Sequence, residues 1–184
     1  GQLVAAAGTV ASMRAQINLI QEVMQSVMIE DVHFGKIPGT PKPSLYKPGG
    51  EVLWVVFHIA PHYRTEDLSL GETIRYRVVC TGRHQATGID LGEGVGECSS
   101  DEAKYRWRAP VCDEEFAETK EDRRREKWAR GSGGGGAFKV KQIRTEPADI
   151  ANTVLKLAAK RPQVALVLIV LAASDIFSQD LEDL

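Results

Sequence analysis

The sequence predicts an α+β fold: a curved antiparallel sheet with a central β-hairpin, packed by a long C-terminal helix and flanked by an N-terminal helix. Three observations predict it. Apolar residues recur at helical spacing from Val10 to Met28, two strand-like segments flank a turn between Thr73 and Cys98, and a long apolar pattern begins near Ile150. The length of 184 residues suits a single domain with its own core.

The N-terminal helix is predicted because its apolar residues repeat every three or four positions and so form one face. Residues 33–50 follow, with four prolines and four glycines in 18 residues, a composition that excludes a regular helix or a central strand. Glu51–Ile59 is then predicted as a short helix that the Pro-Gly-Gly turn opens.

The hairpin is predicted from two segments that flank a turn at residues 82–88. Thr73–Thr81 alternates and is rich in β-branched and aromatic residues, and Ile89–Cys98 is the expected returning strand. Glycines two positions apart share one face of a strand, which lets a backbone, a helix or a ligand approach closely. The returning strand has three of them: Gly92, Gly94 and Gly96.

A charged insertion, Asp101–Arg130, separates the hairpin from the C-terminal elements. Within it, residues 120–127 (KEDRRREK) are expected to form a solvated helix face. The GSGGGG segment at 131–136 is expected to be a flexible linker or loop tip, either natural or in place of a removed insertion. A strand is predicted at Phe138–Arg144.

The C-terminal helix is expected from about Ile150, with Asp149 as its N-cap. Pro162 lies inside the apolar pattern, so we expect a kink or a break there. Val164–Ala173 is strongly apolar but about ten residues long, whereas a membrane span needs about 20. It is therefore expected to be a buried core element, followed by an amphipathic acidic tail.

Charge is unevenly distributed, although the formal net charge is only −2. Twelve of the 23 Lys and Arg residues lie between Asp101 and Arg144, whereas the residues from Pro162 onward include four acids and no Lys or Arg. The three cysteines have no close pairing, which argues against a disulfide framework and for a reducing compartment. No signal peptide is expected, because the first residues lack a charged segment before the apolar stretch.

Two blocks of sequence carry a family resemblance: residues 33–53 (HFGKIPGTPKPSLYKPGGEVL) and 150–183 (IANTVLKLAAKRPQVALVLIVLAASDIFSQDLED). Between them, GEGVGECSSDEAKYRWR looks like the linking hairpin and its exit. Together they resemble phage and mobile-element proteins that are grouped with single-strand annealing recombinases. These are related by fold to the Rad-fifty-two annealing mediator and, more distantly, to Erf and Redβ.

The resemblance runs from about His33 onward and implies one annealing-type domain over residues 1–184. Pro162 and the GSGGGG segment depart from the family pattern. The expected parts of the domain are the N-terminal helix (1–32), the Pro/Gly loop, hairpin and charged insertion (33–130), the Gly-rich linker (131–136), a strand and core helix (137–173) and the acidic tail (174–184).

The function that the resemblance implies is single-stranded DNA binding and ATP-independent annealing of complementary strands, in phage-type homologous recombination and DNA repair. It implies a ring or filament homo-oligomer in the cytoplasm of a bacterial host, with a single-strand binding protein or a nuclease as a further partner. Two alternatives stay open. One is a non-annealing coat or loading factor for single-stranded DNA, and the other is a protein–protein assembly module that acts through the acidic tail.

Binding of single strands needs cations for phosphates and aromatic faces for bases. Arg75 and Arg77 are two apart and share one face of the predicted strand, and residues 104–108 repeat this alternation with aromatics between the cations. A solvated strand face, with its aromatic residues in the core, is the alternative. The DNA-binding candidates from these segments are Arg75, Arg77, Lys104, Arg106 and Arg108, and the base-stacking candidates are Tyr105 and Trp107.

Two further groups of candidates come from the resembling blocks. The Pro/Gly loop either grips phosphates or packs the first helix onto the sheet, and it provides Lys36, Lys42 and Lys47, with Tyr46 for stacking. Lys160 and Arg161 begin the segment that the resemblance places across the sheet, at the border of a groove.

Catalysis is not expected. The carboxylates near Glu93 and Glu97 lack an accompanying nuclease motif, and GEGVGE lacks the Lys-Ser/Thr ending of a phosphate-binding loop. His58 and His62 are four apart, but Pro61 lies between them and the cysteines have no C-x-x-C spacing. The sequence therefore predicts no enzyme, no metal and no cofactor.

Overall fold

The computed structural model describes residues 8–131 and 136–178. Within them it has five α-helices and three antiparallel sheets, which confirms the predicted α+β class. None of the described helices is long and apolar enough to cross a membrane.

The N-terminal third contains the predicted helix and the Pro/Gly segment. Its elements are α1 (Val10–Ser26), β1 (Phe34–Gly35), β2 (Ser44–Leu45) and α2 (Lys47–Val56). Thr9 caps α1, since its side chain accepts a hydrogen bond from the Ser12 amide at 3.1 Å. The predicted second helix is present but begins at Lys47, with Pro48 in its first turn.

The predicted hairpin forms two strands of a three-stranded sheet. The strands are β3 (Ile59–Asp67), β4 (Arg75–His84) and β5 (Asp90–Ser99), in the order β3-β4-β5. Strand β3 was not predicted from the sequence, because Pro61 lies within it. An edge strand tolerates proline, since one side of its backbone needs no partner.

The charged insertion and the strand predicted at Phe138–Arg144 together form a second three-stranded sheet. Its elements are α3 (Ala103–Arg106), β6 (Trp107–Arg108), α4 (Asp113–Glu118), β7 (Arg124–Arg130) and β8 (Ala137–Arg144), with the strand order β6-β8-β7. The expected helix over 120–127 is wrong. Residues 121–123 form one 3₁₀ turn and residues 124–127 are strand, because β7 pairs in register with β8 from Arg124↔Ile143 to Arg130↔Ala137.

The last helix, α5, spans Pro147–Val170. It begins earlier than expected because proline suits a first turn, where its missing N–H would have no helical partner. Asp149 lies in that first turn and is not the N-cap. The expected break at Pro162 is absent, since the helix continues through this fully buried residue.

The glycine face of β5 receives α5, so a helix occupies the space that the sequence left bare. A Cβ on Gly94 would overlap the Pro162 carbonyl and lie 2.9 Å from the Leu166 amide nitrogen. A Cβ on Gly96 would lie 2.8 Å from the Cβ of Arg161. The backbones of α5 and β5 are therefore closer than any side chain on these glycines would permit.

The chain divides into two compact units. The first comprises Gly1–Glu66, Arg77–Glu97 and Ala158–Leu184, and the second comprises Asp67–Tyr76 and Cys98–Leu157. The main apolar core belongs to the first unit and includes most of Val164–Ala173, as expected. Residues 179–184 of the predicted acidic tail lie outside the described residues.

Candidate nucleic-acid interface

The β7–β8 hairpin of the second unit carries the densest positive charge of the chain. We call Arg124–Arg144 the basic hairpin. Only one of its residues, Glu126, is acidic. Its seven cationic residues are Arg124, Arg125, Lys127, Arg130, Lys139, Lys141 and Arg144.

An exposed tryptophan lies on one face of the basic hairpin. Trp128 is 64% exposed and stands opposite Lys139 in the register. The Lys139 ammonium lies 5.7 Å from the centre of the indole ring and 3.0 Å from a carboxylate oxygen of Glu126. An exposed indole beside an ammonium group offers a stacking face for a base next to a cation for its phosphate.

Two cations of the hairpin are open to an external anion. Lys127 and Arg130 are exposed, and the described part of the chain contains no hydrogen-bond or ion-pair partner for either side chain. Because the side chains of a strand alternate, Arg130 shares the face of Trp128, whereas Lys127 shares the opposite face with Phe138, which is 49% exposed. Each face thus carries an open cation and an exposed aromatic ring.

The base of the hairpin is occupied by intramolecular contacts. Arg124 donates hydrogen bonds to the carbonyls of Phe116 and Ala117, at 2.8 and 2.7 Å. Lys141 forms an ion pair with Asp113 at 2.8 Å. These cations fix α4 to the sheet and have little capacity left for phosphates.

Trp107, a predicted stacking residue, is enclosed by arginines. The Arg125 guanidinium lies 4.1 Å from its ring centre and that of Arg144 lies 6.0 Å away. Arg144 also pairs with Asp101 at 3.1 Å. The Trp107 ring is therefore part of an internal cation–π stack.

The alternation predicted for residues 104–108 does not occur. Lys104 and Arg106 lie in the short helix α3, and only Trp107 and Arg108 are strand. The three cations therefore do not line one strand face, because the backbone turns before β6. The Lys104 ammonium lies 5.2 Å from the ring of Tyr105, a half-buried residue, and Arg106 lies 3.7 Å from Asp101.

Arg108 forms a bidentate pair with Glu115, with distances of 2.6 and 3.2 Å. The hydrogen bond from Arg108, followed by that from the Val111 amide, lowers the pKa of the Glu115 carboxyl below its usual range. The same pair raises the pKa of Arg108. Arg108 is thus held in a local ion pair, in competition with any phosphate.

The strand candidates Arg75 and Arg77 differ in their surroundings. Arg77 lies between two acids of the first unit, at 2.5 Å from Glu97 and 3.6 Å from Glu66. Its charge is already compensated. Arg75 is exposed, and its backbone amide donates to the Ser69 hydroxyl at 3.1 Å.

The helix candidates Lys160 and Arg161 are half-buried on α5. Arg161 donates a hydrogen bond to the backbone carbonyl of Glu97. This contact joins α5 to β5 next to the glycine face, so Arg161 helps to hold the helix on the sheet.

The Pro/Gly loop contacts the end of the chain. The Leu45 amide donates to the Ser178 carbonyl at 3.1 Å, and the Lys42 ammonium donates to the Ser174 carbonyl at 2.8 Å. The Tyr46 hydroxyl lies against Gly35. These contacts favour a packing role for the loop over the phosphate-binding role that was the other prediction.

Two lysines of the same loop remain at the surface. Lys47 forms an exposed ion pair with Glu51 at 3.2 Å. Lys36, the residue that follows β1, is also exposed. Neither is brought into a cluster of cations by the contacts described above.

The described residues contain no group of three or more His, Cys, Asp and Glu side chains that could hold a metal ion. His58 and His62 do not share a helical turn, since His58 follows α2 with a positive φ of 53° and His62 lies in β3. Burial raises the pKa of the Cys80 thiol to about 11, which keeps it protonated at neutral pH.

The basic hairpin was not identified as a site from sequence. The signal was present, since seven cations and one acid lie within 124–144, but part of it was interpreted as a helix face. Comparison with protein-family models, curated proteins and solved structures finds no match to this chain.

Proposed function

We propose that this chain binds single-stranded DNA through the basic hairpin and promotes annealing of complementary strands without ATP. The observation that carries the proposal is the pairing of an exposed aromatic ring with an open cation on each face of the hairpin, Trp128 with Arg130 and Phe138 with Lys127. The hairpin has a net charge of about +6. The family resemblance of the sequence supports the choice of DNA and of annealing.

The expected mode of binding is independent of sequence. Lysine and arginine side chains neutralise phosphates and release counterions, while an indole stacks on any base because every base has a π-face. A strand held by its backbone keeps its base edges accessible to a complement. Annealing needs no cofactor, because duplex stacking contributes about 1.4 kcal/mol per step.

The test is a salt series of binding to a fluorescent single-stranded oligonucleotide, with Lys127→Ala/Arg130→Ala as the variant. Each phosphate contact contributes about 0.7 to the slope of log K against log salt for single strands. Loss of two contacts should therefore reduce the magnitude of the slope by about 1.4 and weaken binding most at low salt.

The matched control is Arg64→Ala/Arg83→Ala, which removes two exposed arginines that pair with Glu66 and Asp90 in the first unit. Its change in net charge is identical, so a nonspecific effect of charge would alter both variants equally. An equal slope for the hairpin variant and the wild-type protein would rule out the hairpin as the phosphate-binding surface.

We further propose that the chain assembles with itself into a ring or filament. Strands β3 and β5 lie at the edges of their sheet, and unpaired strand edges are sites where a second copy can add. Light scattering after size exclusion, with and without a single strand, tests this. A monomer under both conditions would contradict it.

A further inference from the structure

The first unit contains a cavity of about 360 Å³ that none of the DNA-binding candidates explains. Helix α2 provides Trp54, strand β3 provides Tyr63, the β4–β5 turn provides Gln85 and helix α5 provides Gln163. This volume lies within the range of small-molecule sites, which is about 300–1,000 Å³.

Gln163 places a side-chain amide at the wall of this cavity. The residue is 4% exposed and lines the cavity, and no described residue forms a hydrogen bond with its side-chain amide. The buried side-chain donor without a hydrogen-bond partner at this wall is Trp54 Nε1. Buried polar groups in proteins are nearly always hydrogen-bonded, so this donor indicates a ligand in the cavity. The Gln163 amide is not among the buried atoms without a partner in the described residues, and it is open to the same cavity. The amide provides both donors and an acceptor.

The remaining wall is mostly apolar and carries no net charge. Lys47 and Glu51 lie at the cavity and compensate each other at 3.2 Å. Burial raises the pKa of the Tyr63 phenol above its usual value, with the Cys80 thiol as the next cause, so the phenol is neutral. Such a wall suits a neutral, planar group with polar edges and offers little to a polyanion.

We propose that this cavity binds a nucleobase, with the Gln163 amide on its polar edge and aromatic side chains beside its ring. Glutamine amides form paired hydrogen bonds with base edges, as in the recognition of adenine. The base belongs either to a free nucleotide or to a bound strand. The inference goes beyond the basic hairpin, because every residue in it belongs to the first unit.

The test uses the four deoxynucleoside monophosphates, with deoxyribose 5-phosphate as the probe that lacks a base. Titrations are followed by calorimetry and by the NMR signal of the Gln163 side-chain amide in the wild-type protein. Gln163→Met keeps length and helix propensity but removes the amide. Gln25→Met, on the exposed face of α1, is the matched control.

We expect saturable binding of at least one nucleotide, a shift of the Gln163 signal, and affinity at least about tenfold lower in Gln163→Met than in the control. No effect of Gln163→Met on any nucleotide, or equal binding of deoxyribose 5-phosphate, would overturn the proposal. If only oligonucleotides bind, an abasic site in the oligonucleotide should weaken binding to the wild-type protein but not to Gln163→Met. That result would show that the bound base belongs to a DNA strand.

The two proposals fail separately. Lys127→Ala/Arg130→Ala should leave nucleotide binding unchanged while it weakens oligonucleotide binding. If Lys127→Ala/Arg130→Ala leaves the salt slope of oligonucleotide binding unchanged while nucleotides still bind at Gln163, only the hairpin proposal fails. If the variant reduces the slope but no nucleotide binds in a Gln163-dependent way, only the base-pocket proposal fails.

Discussion

The closeness of α5 to β5 predicts that a single methyl group on Gly94 destabilises the protein strongly. An added Cβ would overlap the carbonyl oxygen of Pro162 and lie 2.9 Å from the Leu166 nitrogen, and both are backbone atoms that no side-chain rotation can move. Ordinary carbon contacts need about 3.5–4.0 Å, so α5 would have to retreat by about 1 Å.

The cost follows from overpacking. Insertion of one methyl group into a close-packed core costs about 1–3 kcal/mol, and here a retreat of α5 also loosens the buried Leu166 and Val167. We expect Gly94→Ala to lower the free energy of unfolding by about 3 kcal/mol. For a chain of this size that corresponds to a fall in Tm of about 6–12 °C.

The assay is chemical and thermal unfolding followed by circular dichroism, with Gly136→Ala as the control. A Cβ on Gly136 meets no atom within 4 Å, so that substitution should change stability by less than about 0.5 kcal/mol. A Gly94→Ala protein as stable as the wild type would refute the packing of α5 on the glycine face.

Three further predictions concern single side chains. Trp128→Ala should weaken single-strand binding by about 1–3 kcal/mol in a fluorescence titration, because a stacking face is lost. The salt slope should stay the same, because no cation is removed. Unchanged affinity would exclude stacking on Trp128. Glu115→Gln should destabilise the protein at pH 7 relative to Glu114→Gln, and the difference should vanish in acid. The lowered pKa of Glu115 means that its carboxylate stabilises the fold above its ordinary pKa of about 4.3, and that this contribution is lost as pH falls through the folded pKa; a difference that persists at pH 2 would contradict the ion pair. A thiol reagent at pH 8 should modify Cys112 rapidly and the buried Cys80 only on unfolding, since Cys112 is the exposed free cysteine; rapid reaction of more than one thiol would show that the core opens.

Local sequence patterns were sufficient to predict an element where its conformation depends mainly on its own residues. The apolar repeat of α1 and the hairpin turn at 82–88 each gave elements close to those in the structure. The spacing of Gly92, Gly94 and Gly96 indicated a close approach, although it did not determine whether a helix or a ligand makes it.

Long-range pairing explains the elements that were missed. Residues 120–127 have the charge pattern of a solvated helix, but β8 provides the hydrogen bonds that make residues 124–130 a strand. A proline usually kinks or ends a helix, because it removes one backbone hydrogen bond. Pro162 is instead buried where α5 meets β5, and the packing there outweighs the lost hydrogen bond.

The candidate site was the least predictable feature. Arg77 and Arg108 were chosen for their charge and spacing, but their acidic partners lie 20 and seven residues away in sequence. The open cations Lys127 and Arg130 could be distinguished only once the ion pairs of their neighbours were located. Gln163 gave no sequence signal, because an unpartnered amide is a property of the folded chain.

One annealing experiment tests whether the basic hairpin holds a single strand and promotes its pairing with a complement. The protein is saturated with a fluorescent single strand at low salt, without ATP or metal, and the complementary strand is added. We expect salt-sensitive binding followed by duplex formation faster than the spontaneous rate, and slower annealing with Lys127→Ala/Arg130→Ala. Binding that leaves duplex formation at the spontaneous rate, or no binding at all, would contradict this expectation.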